Sequence, residues 1–94
     1  MSDHDSQQER LVGEVKAGPG GAMADEVGVI SGDLTVATSL MPGGRASITI
    51  QYTDADQWYT LTGSPVSLPP AGLTALHEQV LEQVRHGGGT EAPR

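Results

Sequence analysis

Two runs of alternating apolar and polar residues, separated by a glycine-containing turn, most constrain how this chain can fold. They span residues 33–40 and 45–52, and Met41-Pro42-Gly43-Gly44 separates them. Such alternation is typical of strands with one buried face, so the pattern predicts a β-hairpin. Its apolar face carries Leu34, Val36, Leu40, Ala46, Ile48, Ile50 and Tyr52. Its other face, here called the hydroxyl-rich face, carries Thr35, Ala37, Ser39, Ser47, Thr49 and Gln51.

Shorter extended segments flank this hairpin. Residues 26–30 form an apolar run, and Ser31-Gly32 is a suitable turn into the first long strand. Residues 57–62 follow the hairpin, Gly63-Ser64-Pro65 interrupts them, and residues 66–68 are long enough only for a short edge segment before Pro69-Pro70. The pattern predicts an antiparallel meander of four strands.

A C-terminal amphipathic helix completes the predicted domain. Pro70 suits a first helical turn, and Gly87 suits a left-handed cap after the helix. Spacings of three and four residues place Leu73, Leu76, Val80, Leu81 and Val84 on one stripe. We expect this stripe to cover the apolar face of the sheet, which makes the domain, residues 26–86, an α+β fold with one C-terminal helix.

Both ends of the chain are predicted to lie outside that domain. Residues 1–25 are acidic and polar, and we expect a flexible arm. Ser6 and Glu9 have the spacing of a capping box, so a short helix over residues 7–17 is expected within the arm. Residues 87–94 begin with three glycines, which predicts a flexible tail.

Charge and composition narrow the classes of partner. Twelve acidic residues against five basic residues give a net charge of −7, which repels nucleic acid and anionic membrane surfaces. The chain has no cysteine, which excludes a disulfide or a zinc–thiolate centre. The sequence shows no apolar run of membrane-spanning length and no export signal, so we expect a cytoplasmic protein without a cofactor.

His77 is the candidate functional residue whose predicted position is most unusual. It lies within the apolar stripe of the predicted helix, where a buried imidazole needs a hydrogen-bonding partner. We expect Tyr52 or Tyr59 to be that partner, and these three residues are the candidates for lining a pocket between helix and sheet. A general base or a pH sensor is the functional interpretation, but no Ser, Cys or carboxylate stands at catalytic spacing from His77. A hydrogen-bonded structural histidine is therefore favoured.

Trp58 is the only tryptophan in the chain. If Tyr59 points into the core, alternation places Trp58 on the hydroxyl-rich face beside Thr60. A one-residue shift in register would exchange Trp58 and Tyr59, and the sequence does not decide between these alternatives. In the first register, the candidates for an interaction face are Trp58, Thr60, Thr49 and Thr35, since a tryptophan on a flat face is typical of binding hot spots.

The remaining motifs are incomplete. Asp54-x-Asp56 begins like a calcium loop but continues with Trp58 instead of an oxygen ligand, so we interpret it as a turn. If the initiator Met is removed, Ser2-Asp3-His4 matches a copper- or nickel-binding amino terminus, but an accidental histidine in a polar arm is the favoured interpretation. The sequence thus predicts neither catalytic residues nor a metal site, and its motifs do not resemble those of a known family.

These observations favour a small non-catalytic module that binds another protein and associates into a homodimer. The first alternative is a small-ligand binder or small enzyme with a pocket near His77. The second is an acidic inhibitor that occupies the site of a nucleic-acid-binding protein, against which the small charge of −3 on residues 27–86 argues.

Overall fold

The computed structural model of the protein describes residues 9–93. The amino-terminal residues of the expected arm, including Ser2-Asp3-His4 and Ser6, lie outside this range. The elements are β1 (Arg10–Lys16), β2 (Ala22–Ala24), β3 (Gly28–Ile30), β4 (Asp33–Met41), β5 (Arg45–Tyr52), β6 (Tyr59–Thr60), β7 (Val66–Ser67) and α1 (Leu73–His86). They form an antiparallel sheet with one C-terminal helix, which confirms the α+β class.

The predicted hairpin is the centre of the sheet. Strands β4 and β5 pair in a register that sets Leu34 opposite Tyr52 and Leu40 opposite Ala46. The strand order is β1-β4-β5-β6, and β7 also pairs with β5, so the sheet has five strands instead of four. Alternation along β4 and β5 therefore produces the apolar and hydroxyl-rich faces that the sequence predicts.

The prediction of a short helix over residues 7–17 is wrong for the residues described, because Arg10–Lys16 form strand β1. This strand pairs with β4 along its whole length, with Leu11 opposite Thr38 and Val15 opposite Leu34. Its inward-facing apolar side chains extend the apolar face of the sheet. Burial on that face stabilises the strand more than a capping box stabilises an isolated short helix. The folded domain consequently begins by residue 10 and not at residue 26.

The predicted meander is also wrong about which strand pairs with β4 on the side away from β5. Strand β3 lies in the expected apolar run but pairs with β2 in a separate two-stranded hairpin, with Ala22 opposite Ile30. The seven-residue strand β1 occupies the position beside β4 that was predicted for residues 26–30. A longer ladder satisfies more backbone groups of β4 than a three-residue strand could, which accounts for this pairing.

Strands β6 and β7 are the two parts of one interrupted edge. Tyr59 lies opposite Ile50 and Val66 lies opposite Ala46, both on β5. Between them, the backbone N–H of Ile48 donates to the Ser64 hydroxyl oxygen at 2.8 Å. A side chain thus replaces a ladder partner where the chain leaves the sheet, as expected from the Gly63-Ser64-Pro65 interruption.

Helix α1 packs on the apolar face against β1 and β4. It begins at Leu73, after Gly72 in the cap position, so Pro70 lies in the preceding turn and not in the first helical turn. The buried residues of the stripe are Leu73, Leu76, His77, Val80 and Val84, and Leu81 is partly buried. The helix phase predicted from the sequence is therefore the one observed.

The carboxyl-terminal segment is packed on the domain through residue 92, which corrects the expected separate tail. Gly88 and Gly89 donate backbone hydrogen bonds to Pro19 and Gly20, and Ala92 donates to Thr62. Ala92 is almost fully buried. Here the glycines permit close contact between two chain segments, whereas their sequence pattern predicts a flexible tail.

Candidate functional site

Trp58 lies on the hydroxyl-rich face, opposite the helix. Its ring centroid is 5.0 Å from the guanidinium carbon of Arg10, which is within the range of a cation–π interaction. Arg10 alternates with the inward-facing Leu11 on β1, so its side chain projects from the hydroxyl-rich face. Tyr59 lies opposite Ile50 and packs against the core, which is the register that places Trp58 outside it.

The Arg10–Trp58 contact spans the sheet. Arg10 belongs to the edge strand β1, whereas Trp58 directly precedes β6 at the other edge, and β4 and β5 lie between them. Neighbouring strands are about 4.8 Å apart, so the two side chains must extend over the intervening strands to meet. Ala37, on this face of β4, is fully buried although α1 lies on the opposite side. The hydroxyl-rich face is therefore partly covered at the level of Ala37.

The threonines of this face are already hydrogen-bonded within the chain. The Thr35 hydroxyl lies 3.0 Å from the Thr53 hydroxyl, and the Thr49 hydroxyl donates to the Ala37 carbonyl at 3.5 Å. Thr35 is also buried, with 8% of its surface exposed. The hydroxyls of Thr35 and Thr49, two candidates for the interaction face, are therefore already engaged within the chain.

Thr60 connects this face to the β2–β3 hairpin. Both its backbone N–H and its hydroxyl donate to the Glu26 carboxylate, each at 2.8 Å. These two hydrogen bonds, led by the one from the backbone, lower the pKa of Glu26. Thr62 makes a similar contact by donating to the Asp25 carboxylate at 2.8 Å. The acidic pair Asp25-Glu26 thus anchors the hairpin to the strand that follows Trp58.

Exposed apolar surface adjoins the Trp58 region at Val12. The Val12 side chain projects from β1 on the same side as Arg10, and 54% of its surface is exposed. Trp58 is half-buried, so its ring has both a supported side and an accessible side. Arg10, Val12 and Trp58 together form what we call the Trp58 patch.

His77 has a different environment from the one expected. Its Nδ1 lies 2.8 Å from the hydroxyl oxygen of Thr38 on β4, and 7% of the residue is exposed. The partner is therefore Thr38 and neither Tyr52 nor Tyr59. On its other side the ring approaches Gly13 of β1, where an added Cβ would lie 3.2 Å from Nε2. His77 thus joins helix to sheet through one buried polar contact.

The structure does not bring the three pocket candidates together. Tyr52 lies opposite Leu34, four residues along β4 from Thr38, which is about 13 Å of strand. Tyr52 is exposed, while Tyr59 packs against the core. The two clefts described lie elsewhere: one of about 330 Å³ is lined by Glu14, Val15, Lys16, Asp33 and Thr53, and one of about 310 Å³ by Gly63, Pro65, Val66, Ser67 and Pro93.

Burial lowers the pKa of His77, and the nearby Glu78 opposes this effect more weakly. The folded state therefore keeps His77 neutral at a pH where the unfolded chain, with a pKa of about 6.5, already binds a proton. We expect the free energy of unfolding to fall as the pH drops below about 6.5, by at most about 1.4 kcal/mol per unit for this one proton. Urea titrations at pH 7.5 and 5.5 measure the change.

Two matched variants isolate the His77 contribution to this pH dependence. His77→Gln removes the titrating group and should flatten the dependence, whereas His86→Gln changes an exposed histidine in the last helical turn and should preserve it. Identical pH profiles for the two variants would show that His77 is not the group responsible.

Within residues 9–93, no three His, Asp or Glu side chains are grouped to hold a metal ion. Asp54 and Asp56 lie in the exposed segment after β5, and Asp54 adopts a positive φ of 74°. None of the helical structure in the described part of the chain has the length and apolarity that crossing a membrane requires.

Comparison of the chain with models of protein families, with curated proteins and with solved structures gives no match. Functional inference therefore depends on the geometry of the Trp58 patch. Sequence reasoning singled out Trp58 but missed Arg10 and Val12, because residues 7–17 were assigned to a helix outside the domain. Leu11 and Val15 alternate with the charged Arg10, Glu14 and Lys16, but the apolar Val12 and the glycine at position 13 interrupt the pattern, so the sequence carried only a weak signal for β1.

Proposed function

We propose that this chain is a non-catalytic protein–protein interaction module, a regulatory or accessory protein whose partner binds at the Trp58 patch. The observation that carries the proposal is the Arg10–Trp58 contact across the sheet face opposite α1. Tryptophan and arginine are the residue types most enriched at binding hot spots, where a supported aromatic ring is desolvated by the partner. The exposed Val12 adds apolar area next to this pair.

Preorganisation supports the same proposal. Arg10 holds the Trp58 ring across β4 and β5 before any partner arrives, so little side-chain entropy remains to be lost on binding. The chain's net charge of −7 disfavours nucleic acid and anionic lipid, which leaves a protein surface as the proposed partner. We further propose the cytoplasm as its location, since small exported domains commonly depend on disulfides and this sequence has no cysteine.

Affinity capture with matched variants tests the proposed binding face. The wild-type protein and the variants Trp58→Ala and Val29→Ala would be immobilised and exposed to an extract of the native cells. We expect Trp58→Ala to reduce the specifically bound protein at least about tenfold, a typical hot-spot loss. Val29 is 55% exposed on the β2–β3 hairpin, so Val29→Ala should bind like the wild type.

A folding control accompanies this experiment. Amide NMR spectra should show that the core signals of Ile48 and Ile50 are retained in both variants. Equal capture by a folded Trp58→Ala variant would contradict the proposed binding face.

A further inference from the structure

The outer edge of β1 is unpaired within residues 9–93, since β1 is the end strand of the sheet. Hydrogen bonds link Leu40 N–H to the Glu9 carbonyl and Ala17 N–H to the Gly32 carbonyl, each at 2.9 Å. Hydrogen-bonded pairs alternate along an antiparallel ladder, so Leu11, Gly13 and Val15 direct their backbone groups to β4. The backbone N–H and C=O groups of Arg10, Val12, Glu14 and Lys16 consequently point away from the sheet.

Such an edge is a template for another strand, and proteins commonly protect it with like charges that repel a second copy. The β1 edge differs, because its charges are self-complementary. Arg10 and Glu14 have opposite signs and are equally distant from Val12. If two β1 strands run antiparallel with Val12 opposite Val12, then Arg10 of each copy lies opposite Glu14 of the other. Opposite charges at such positions stabilise strand pairing.

The neighbouring registers are less favourable. A twofold axis at Gly13 would set Arg10 opposite Lys16 of the second copy and Val12 opposite Glu14. An axis at Glu14 would set the two Glu14 carboxylates opposite each other. Like charges directly opposite one another are destabilising, so charge selects the register centred on Val12.

The helix side of the edge also presents apolar surface. Gly13 leaves space that Leu81 fills, with the Leu81 Cδ1 3.0 Å from the position of an added Cβ. Leu81 therefore lies over the free edge strand, and it is only partly buried. A second β1 strand, about 4.8 Å away, would bring further atoms to this side chain.

We propose that β1 pairs antiparallel with β1 of a second copy of this chain, about a twofold axis at Val12, to form one continuous sheet. The ladder contains up to about six backbone hydrogen bonds, from Arg10, Val12 and Glu14 of each copy. The twofold axis is perpendicular to the sheet, so both hydroxyl-rich faces lie on the same side. Pairing with Glu14 of the second copy requires Arg10 to leave the Trp58 ring, so dimerisation competes with the Arg10–Trp58 contact. A folded Trp58→Ala variant is therefore expected to dimerise at least as well as the wild type.

Cross-linking through an introduced cysteine tests the register directly. Facing residues of a hydrogen-bonded pair have Cα atoms about 5.5 Å apart, which a disulfide can bridge. The natural sequence has no cysteine, so Val12→Cys introduces a single thiol. Under mild oxidation we expect Val12→Cys to form covalent dimers at least about tenfold faster than Val29→Cys, a matched control with nearly equal exposure. Equal rates would overturn the proposal.

Charge exchange tests the same register without a covalent bond. Glu14→Arg sets two arginines opposite each other at both ends of the ladder, so we expect about tenfold weaker dimerisation by sedimentation. Arg10→Glu together with Glu14→Arg restores opposite charges and should recover the wild-type dimer. Glu78→Arg, an equal change of charge on exposed helix surface, is the control. A monomeric wild type at millimolar concentration, or a Glu14→Arg variant that dimerises normally, would overturn the proposal.

Discussion

Replacing Gly18 with alanine is expected to lower the free energy of unfolding by about 2–4 kcal/mol. A Cβ at Gly18 would lie 2.4 Å from the carbonyl oxygens of both Arg85 and His86 at the end of α1. These are backbone atoms, and they cannot move away without opening the last helical turn. The Gly18 N–H also donates to the Val84 carbonyl at 3.0 Å, so a displaced chain loses that hydrogen bond too.

Gly13→Ala is the matched control for this substitution. Neither glycine has a positive φ, so alanine is compatible with the backbone at both positions. The added Cβ at Gly13 would meet the ends of the Leu81 and His77 side chains at 3.0 and 3.2 Å, and side chains can adjust. We expect Gly13→Ala to cost less than about 1.5 kcal/mol in a urea titration. Similar costs for the two variants would mean that Gly18 does not pack closely against the helix end.

A chain truncated after Gly87 is expected to lose about 3 kcal/mol or more of stability. The removed segment carries Thr90, whose hydroxyl donates to the carbonyls of Gln83 and Gly87, and whose own carbonyl accepts from Met23 N–H. It also carries the buried Ala92. Truncation leaves Met23 N–H without its partner, next to the buried Ala22 and Ala24, and removes Ala92 from the hydrophobic core.

The control for this truncation is a chain that lacks only residues 93 and 94. It keeps Thr90 and Ala92, so its free energy of unfolding in a urea titration should match that of the full chain within about 0.5 kcal/mol. If the longer truncation were equally harmless, the carboxyl-terminal segment would be the independent tail that its glycines suggest.

The elements that could be predicted from the sequence are those whose periodicity is carried by their own side chains. Alternation defines β4 and β5, and the spacing from Leu73 to Val84 defines α1. Strand β1 was missed because one of its inward positions is Gly13, which interrupts the alternating pattern. That gap is explained only by the helix, since His77 and Leu81 occupy the space above it. The information was therefore tertiary and not local.

Only part of the candidate site could be predicted from the sequence. Alternation placed Trp58 on the hydroxyl-rich face only after Tyr59 was assumed to face the core, and the pairing of Tyr59 with Ile50 establishes that assumption. Arg10 could not be found in this way, because it lies about fifty residues away in a segment assigned to another structure. The His77–Thr38 hydrogen bond likewise depends on how α1 crosses β4, which sequence spacing does not specify.

The packing of residues 88–92 against residues 19–23 has a consequence for the order in which the chain folds during its synthesis. Strands β1, β4 and β5 are complete once Tyr52 has left the ribosome, so the centre of the sheet can form early. The β2–β3 hairpin gains its backbone partners at Thr62 and Thr90 only later, and Thr90 follows every named strand and α1 in the chain. Until then the buried positions Ala22, Ala24 and Ile30 remain accessible, and the nascent chain presents apolar surface that the finished protein conceals.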